Sequence, residues 1–139
     1  MKNNNDKTKT KSSKENEIDA LCAIYPDGIK IIKKYEIIEL FLESNKTINN
    51  YYCTLKLRIE YPFNYPNDAP KIDIIDKYFI NDDEINQINN YIKQQINLRI
   101  EQKVEVVYEI VNYIQEFLNK KNSYVNSLNK KDNNSNNNN

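Results

Sequence analysis

Cys22 and Cys53 are the only thiols in a chain of 139 residues, and no histidine accompanies them. Without an imidazole there is no Ser-His-Asp or Cys-His relay, no histidine pH switch and no zinc site with nitrogen ligands. Two cysteines fall short of a four-thiolate zinc site and make one disulfide at most. The one glycine excludes phosphate-cradling loops, which need two or three. The carboxylates are the other groups that attract attention. Asp73, Asp76, Asp82, Asp83 and Glu84 form an acidic run with only Lys77 against it. The run lacks the alternate-position oxygens and central glycine of a calcium loop. No catalytic residue, metal ligand or cofactor site is therefore expected. Two readings of the run stay open. Carboxylates favour the start of a helix, where they oppose its dipole. They also make a docking patch for a basic partner segment, in which Asp76, Asp82, Asp83 and Glu84 would set on-rate and specificity.

The elements that must carry these residues follow from periodicity. Ile18, Leu21, Cys22, Ile24 and Tyr25 form one face of a short helix, with Ser12 or Ser13 as N-cap and Pro26 and Gly28 as its stop. Ile-rich segments at 29–34 and 35–43 read as two strands. From Tyr51 to Tyr61, apolar and polar residues alternate strictly: Tyr51, Cys53, Leu55, Leu57, Ile59 and Tyr61 on one side, Tyr52, Thr54, Lys56, Arg58 and Glu60 on the other. Such alternation describes an antiparallel sheet with one buried and one wet face. YPFNYPNDAP (61–70) holds three of the four prolines and reads as a rigid connection outside the ladder. A short strand with Ile72 and Ile74 inward comes next. The spacing predicts a helix over 81–100, opened by an Asn81/Glu84 capping box and striped by Ile85, Ile88, Tyr91, Ile92 and Ile96. A last stripe is Val104, Val107, Tyr108, Val111, Ile114 and Leu118, fading towards Leu128. The expected class is α+β: a helix, a four-stranded antiparallel sheet, then two helices packed on one face.

A net charge of zero hides segregation. Residues 1–14 carry +4, residues 15–118 carry −7 and residues 119–139 carry +3. Both ends are low-complexity and too polar to offset the entropy of ordering, so the expected organisation is a basic tail (1–14), one ordered domain (15–118) and an Asn-rich tail (119–139). Scattered lysines in such tails read as solubilising rather than as a nucleic-acid contact. No run of about 18 apolar residues suggests a membrane span. MKNNNDKTKTK lacks the apolar core of a secretory signal. The expected setting is cytoplasmic or nuclear, with reduced thiols.

ENEIDALCAIYPDG, the alternating strand that runs into YPFNYPNDAP, and the closing VVYEIVNYIQEFL together resemble the RWD domain, in particular the small stand-alone RWD proteins. The hallmark is Tyr-Pro, three residues, then Pro, here Tyr65, Pro66 and Pro70. The resemblance implies a sandwich related to ubiquitin-conjugating enzymes without their catalytic centre, and work as a non-catalytic adaptor through protein–protein contact. It implies as partner the ribosome-associated activator of the amino-acid-starvation kinase, and so a role in translation control, with no small-molecule substrate. The alternative is an inactive conjugating-enzyme-like accessory subunit of ubiquitin transfer. Active transfer needs a cysteine after the proline segment and an asparagine turn for the oxyanion, and neither pattern is present. Cys22 and Cys53 instead read as core hydrophobes. Tyr61, Tyr65 and the prolines read either as a peptide groove or as an inward lock on the turn. The family usually places glycine between the closing helices, where this chain has Lys103.

Overall fold

A computed structural model of the protein describes residues 11–45 and 52–121. Helix α1 (Ser13–Ile24) opens on Ser12. The Ser12 hydroxyl accepts from Glu15 N–H at 3.2 Å, and the Glu15 carboxylate accepts from Ser12 N–H at 3.0 Å. Two of the free donors of the first turn are thereby satisfied by local sequence alone. The helix ends where Tyr25 N–H returns to the Leu21 carbonyl and Pro26 follows. Gly28 then brings the chain against the next strands. A Cβ there would lie 2.6 Å from the Phe41 carbonyl oxygen, a backbone atom with little room to retreat.

The strands β1 (Ile29–Lys33), β2 (Ile37–Glu43), β3 (Thr54–Glu60) and β4 (Lys71–Tyr78) form an antiparallel meander in the order β1-β2-β3-β4. β2 starts at Ile37 rather than at residue 35, because Tyr35 takes a positive φ of 55° and turns the chain. β3 is shorter than its alternating pattern. Cys53 and Tyr61 extend its inward face beyond the ladder, while Tyr51 lies outside the described residues. β4 is longer than expected and carries an irregularity of register opposite Lys56/Leu57, with Ile75 exposed.

Period two sorts the sheet cleanly. Ile38, Leu40 and Leu42 from β2, with Leu55, Leu57 and Ile59 from β3, are all 0% exposed. Burial of each contributes about 1.5–3 kcal/mol relative to an exposed side chain. On the opposite face, Lys30, Glu39, Arg58 and Asp73 stand in register across the four strands, alternating in sign. Opposite charges in cross-strand positions support pairing and keep this face wet.

Helix α2 (Asp82–Gln102) follows, then α3 (residues 107–121). α2 buries Ile88 and Ile92 fully, and Ile85, Tyr91 and Ile96 in part. α3 buries Val107, Ile110, Val111, Ile114 and Leu118. The rings of Tyr91 and Tyr113 stack with centroids 3.6 Å apart and join the two helices. Val104 and Tyr108, placed on the buried stripe by sequence, are exposed, and Val106 and Ile110 take their place in the core. The reason is the start of the helix. Residues 104–106 are not helical, so the 3.6 period counts from Val107.

Lys103 makes the turn between α2 and α3 with φ 56° and ψ 42°. Its N–H returns to the Arg99 and Ile100 carbonyls, the geometry of a left-handed cap. A lysine holds the conformation that favours glycine, at a cost of about 1–2 kcal/mol. The helices also extend past the sequence-based limits of the ordered body, since α1 begins at Ser13 and α3 continues to residue 121. A continuation towards Leu128 lies outside the described residues.

Candidate protein-interaction surface

The four predicted acidic residues come together where β4 passes into α2. Asn81 caps the helix: its side-chain carbonyl accepts from Glu84 N–H at 2.8 Å, and Glu84 Oε1 accepts from Asn81 N–H at 3.0 Å. The first turn thus projects Asp82, Asp83 and Glu84 from a fixed start. The three carboxylates are not equivalent. Glu84 Oε1 also pairs with Lys121 Nζ at 2.8 Å, and the two side chains are only 22% and 15% exposed. Lys121 further donates to the Phe79 carbonyl and lies 4.9 Å above the Phe79 ring centroid. Glu84 is therefore committed to holding α3 against the β4–α2 turn.

Asp82 pairs with Lys77 at 2.9 Å, yet its side chain is 95% exposed. The hydrogen bond from the lysine holds the carboxyl below its ordinary range. Asp76 accepts from Lys77 N–H at 2.9 Å. Asp83 is exposed and makes no ion pair or hydrogen bond among the described residues. Beside them, Tyr78 and Phe79 are exposed aromatic residues with ring centroids 6.5 Å apart. A shallow cleft of about 360 Å³, lined by Ile74, Ile75, Asp76, Lys77, Ile85 and Asn89, lies alongside. Exposed aromatic side chains next to the unpaired Asp83 and the ion-paired but solvent-exposed Asp82 give a surface with apolar anchors and a charged rim.

The proline segment serves a different purpose. Tyr65 N–H donates to the Pro62 carbonyl at 3.1 Å and Asn67 N–H to the Asn64 carbonyl at 2.8 Å, so the segment is a run of turns with a cis Tyr65–Pro66 bond. Tyr65 packs inward, edge-on to Tyr61 at 4.9 Å, and both rings are buried. The Tyr65 hydroxyl oxygen accepts from Val106 N–H at 2.7 Å and from Val107 N–H at 3.1 Å. Glu17 Oε2, from α1, accepts from Tyr108 N–H at 2.9 Å. Valine cannot cap a helix, so α3 takes its cap from two distant elements. Of the two readings of the tyrosines, the inward lock is the observed one.

Glu17 is the charged group that sequence reasoning missed. It is buried, and its Oε1 has no hydrogen-bond partner among the described residues. Burial pushes its carboxyl above the ordinary range, against the Tyr108 N–H and the hydroxyls of Tyr65 and Tyr61, which favour the charged form. Burial likewise pushes both phenols up.

The model of the RWD domain family matches residues 12–118. The chain belongs to the RWD family. A solution structure of the RWD domain of mouse GCN2 superposes with a TM-score of 0.63 at 22% identity, over 82% of this chain and 90% of that one. No curated protein matches the chain closely enough to count as a relative.

Membership brings the ubiquitin-conjugating-enzyme-like fold and, in general, protein partners. In this RWD domain both cysteines are free thiols. Cys53 is buried, and burial pushes its thiol up, away from nucleophilic character. Cys22 is half-buried on α1. Among the described residues, no group of three or more acidic or cysteine side chains is arranged to hold a metal ion.

Tyr78, Phe79 and Lys121 were also missed. The aromatic pair had a signal, since it stands beyond the inward positions of β4. Lys121 had none, because it meets Glu84 across 37 residues of sequence.

Proposed function

We propose that this RWD domain is a non-catalytic adaptor that docks the β4–α2 corner onto a basic stretch of a large protein partner. The observation that carries the reading is the pairing of exposed Asp82 and Asp83 with exposed Tyr78 and Phe79 at one rigid, capped corner. Aromatic side chains supply the contact area and the carboxylates steer and select a cationic segment. The partner proposed is the ribosome-associated activator of the amino-acid-starvation kinase, and the setting is cytoplasmic and ribosome-associated. Kinship of fold with the RWD domain of mouse GCN2 supports this choice. An added RWD domain would compete with the kinase for its activator and damp the response.

The test is recovery of the activator from lysate on the tagged protein. Asp82→Lys with Asp83→Lys should abolish recovery. Glu84 is left intact, because its loss would disturb the Lys121 contact rather than the surface. Recovery that survives the double substitution counts against the corner. A ubiquitin titration followed by NMR separates this reading from an accessory role in ubiquitin transfer, since the adaptor predicts no specific shifts.

A further inference from the structure

Among the described residues, β1 is an edge strand, paired with β2 on one side only. The hydrogen-bond phase of that pair identifies what its other side offers. Phe41 N–H donates to the Gly28 carbonyl at 2.8 Å, and the register sets Ile29 against Leu40 and Ile31 against Ile38. Bonded and non-bonded pairs alternate in an antiparallel ladder. Residues 28 and 30 therefore bond to β2, while Ile31 N–H, Ile31 C=O and Ile29 C=O face the open edge. The Ile29 N–H is already used by the Tyr25 carbonyl at 3.1 Å.

Side chains add two features. Ile31 and Ile32 are exposed, and a mostly apolar pocket of about 140 Å³, lined by Ile18, Asp19, Cys22, Ile31, Lys34 and Tyr35, opens between α1 and this edge. On the other face, the alternating row Lys30–Glu39–Arg58–Asp73 ends at the edge on a cation. Residues 29–34 hold three lysines and no acid, inside a body of net charge −7.

We propose that the β1 edge is a strand-addition site for an extended acidic segment of a protein partner. The incoming strand would bond to the Ile31 backbone. The residue opposite Ile31 shares its face of the sheet and would set an aliphatic side chain into the pocket. Its neighbours, on the other face, would set carboxylates beside Lys30 and Lys33 and continue the charge row. A second copy fits poorly, because two such edges bring lysine against lysine. Residues 1–10 fit poorly too, with three lysines and one aspartate. Lysines on an edge strand deter self-pairing, and the same lysines select an acidic strand. The site rests on the adaptor reading only in that both bind protein. It lies at the opposite edge of the sheet from the acidic corner and has the opposite sign.

The test is selection of a random ten-residue display library on the full chain, followed by NMR mapping of the winners. The expected winners alternate Asp or Glu with Val, Ile or Leu and shift amides in residues 29–35. Lys30→Glu, Lys33→Glu and Lys34→Glu together should weaken them at least tenfold, measured at a temperature where the thermal melt shows the variant fully folded, since the first change opposes Glu39 across the ladder and the second removes the Lys33–Glu36 pair. Ile31→Pro removes an N–H that the sheet does not use, and should abolish binding. Winners without acidic character, shifts that map elsewhere, binding that survives the triple substitution, dimerisation through β1, or cross-links from the edge to residues 1–10 would each overturn the proposal. If these results appear while Asp82→Lys with Asp83→Lys still loses the activator, the strand site fails and the adaptor function stands.

Discussion

At the start of α2, Asn81 and Glu84 close a capping box within four residues, and Asp82, paired only with Lys77, and Asp83 stand exposed beside it. At the start of α3, the N–H groups of Val106, Val107 and Tyr108 are met by Tyr65 and Glu17, which lie 41 to 91 residues away in sequence. Both helices need acceptors and negative charge at the same place. The local cap leaves its neighbouring carboxylates at the surface, available to a partner. The distant cap draws its carboxylate inside, where it holds α1, the proline turns and α3 together. The Tyr-Pro hallmark thus belongs to stability, and the acidic corner is where recognition is proposed.

Substitutions at the two starts should separate these roles. Tyr65→Phe leaves two buried N–H groups without an acceptor and should cost about 2–3 kcal/mol in urea denaturation, with partner affinity unchanged in the folded fraction. Gly28→Ala should cost about 1–3 kcal/mol by forcing a Cβ onto the Phe41 carbonyl. Asn81→Ala opens the capping box of α2 and should cost about 1 kcal/mol. Lys103→Gly relieves the left-handed cap and should stabilise the domain by about 1 kcal/mol, which would show as a higher melting temperature.

Glu17→Gln should change a slope more than a size. A carboxyl raised by burial binds its proton more tightly in the folded state, so its contribution favours folding at low pH and is lost as pH rises from the unfolded value through the folded one. Asp82 has the opposite sign: its depressed carboxyl supports folding above the unfolded value and loses that support as pH falls. Chemical denaturation across pH 4–8 should show wild type losing stability relative to Glu17→Gln as pH rises. A constant difference would place the unpartnered Glu17 oxygen in water. Asp83→Lys trades a favourable charge in the first turn of α2 for an unfavourable one and should cost about 1 kcal/mol.

Features written in neighbouring residues were legible. The Ser12 or Ser13 cap of α1, the Asn81/Glu84 box, the alternation of 51–61 and the stripe of α2 predicted the elements that form, and the Tyr65–Pro70 pattern pointed to the family. Contacts written across the chain were not. Glu17 reads as one more polar residue on a helix until Tyr108 N–H reaches it. Val104 and Tyr108 fit a helical stripe until the cap fixes where α3 begins. Glu84 reads as docking charge until Lys121, assigned by composition to a tail, neutralises it. Asp83 is the one predicted acidic residue that the fold leaves wholly uncommitted.

The most direct test of the account is a calorimetric titration of the purified domain with the purified kinase activator, comparing wild type with Asp82→Lys/Asp83→Lys and with Glu17→Gln. Saturable binding that the double substitution weakens at least tenfold and Glu17→Gln leaves unchanged is the predicted result. Equal affinity for all three proteins, or no binding by wild type, would contradict it.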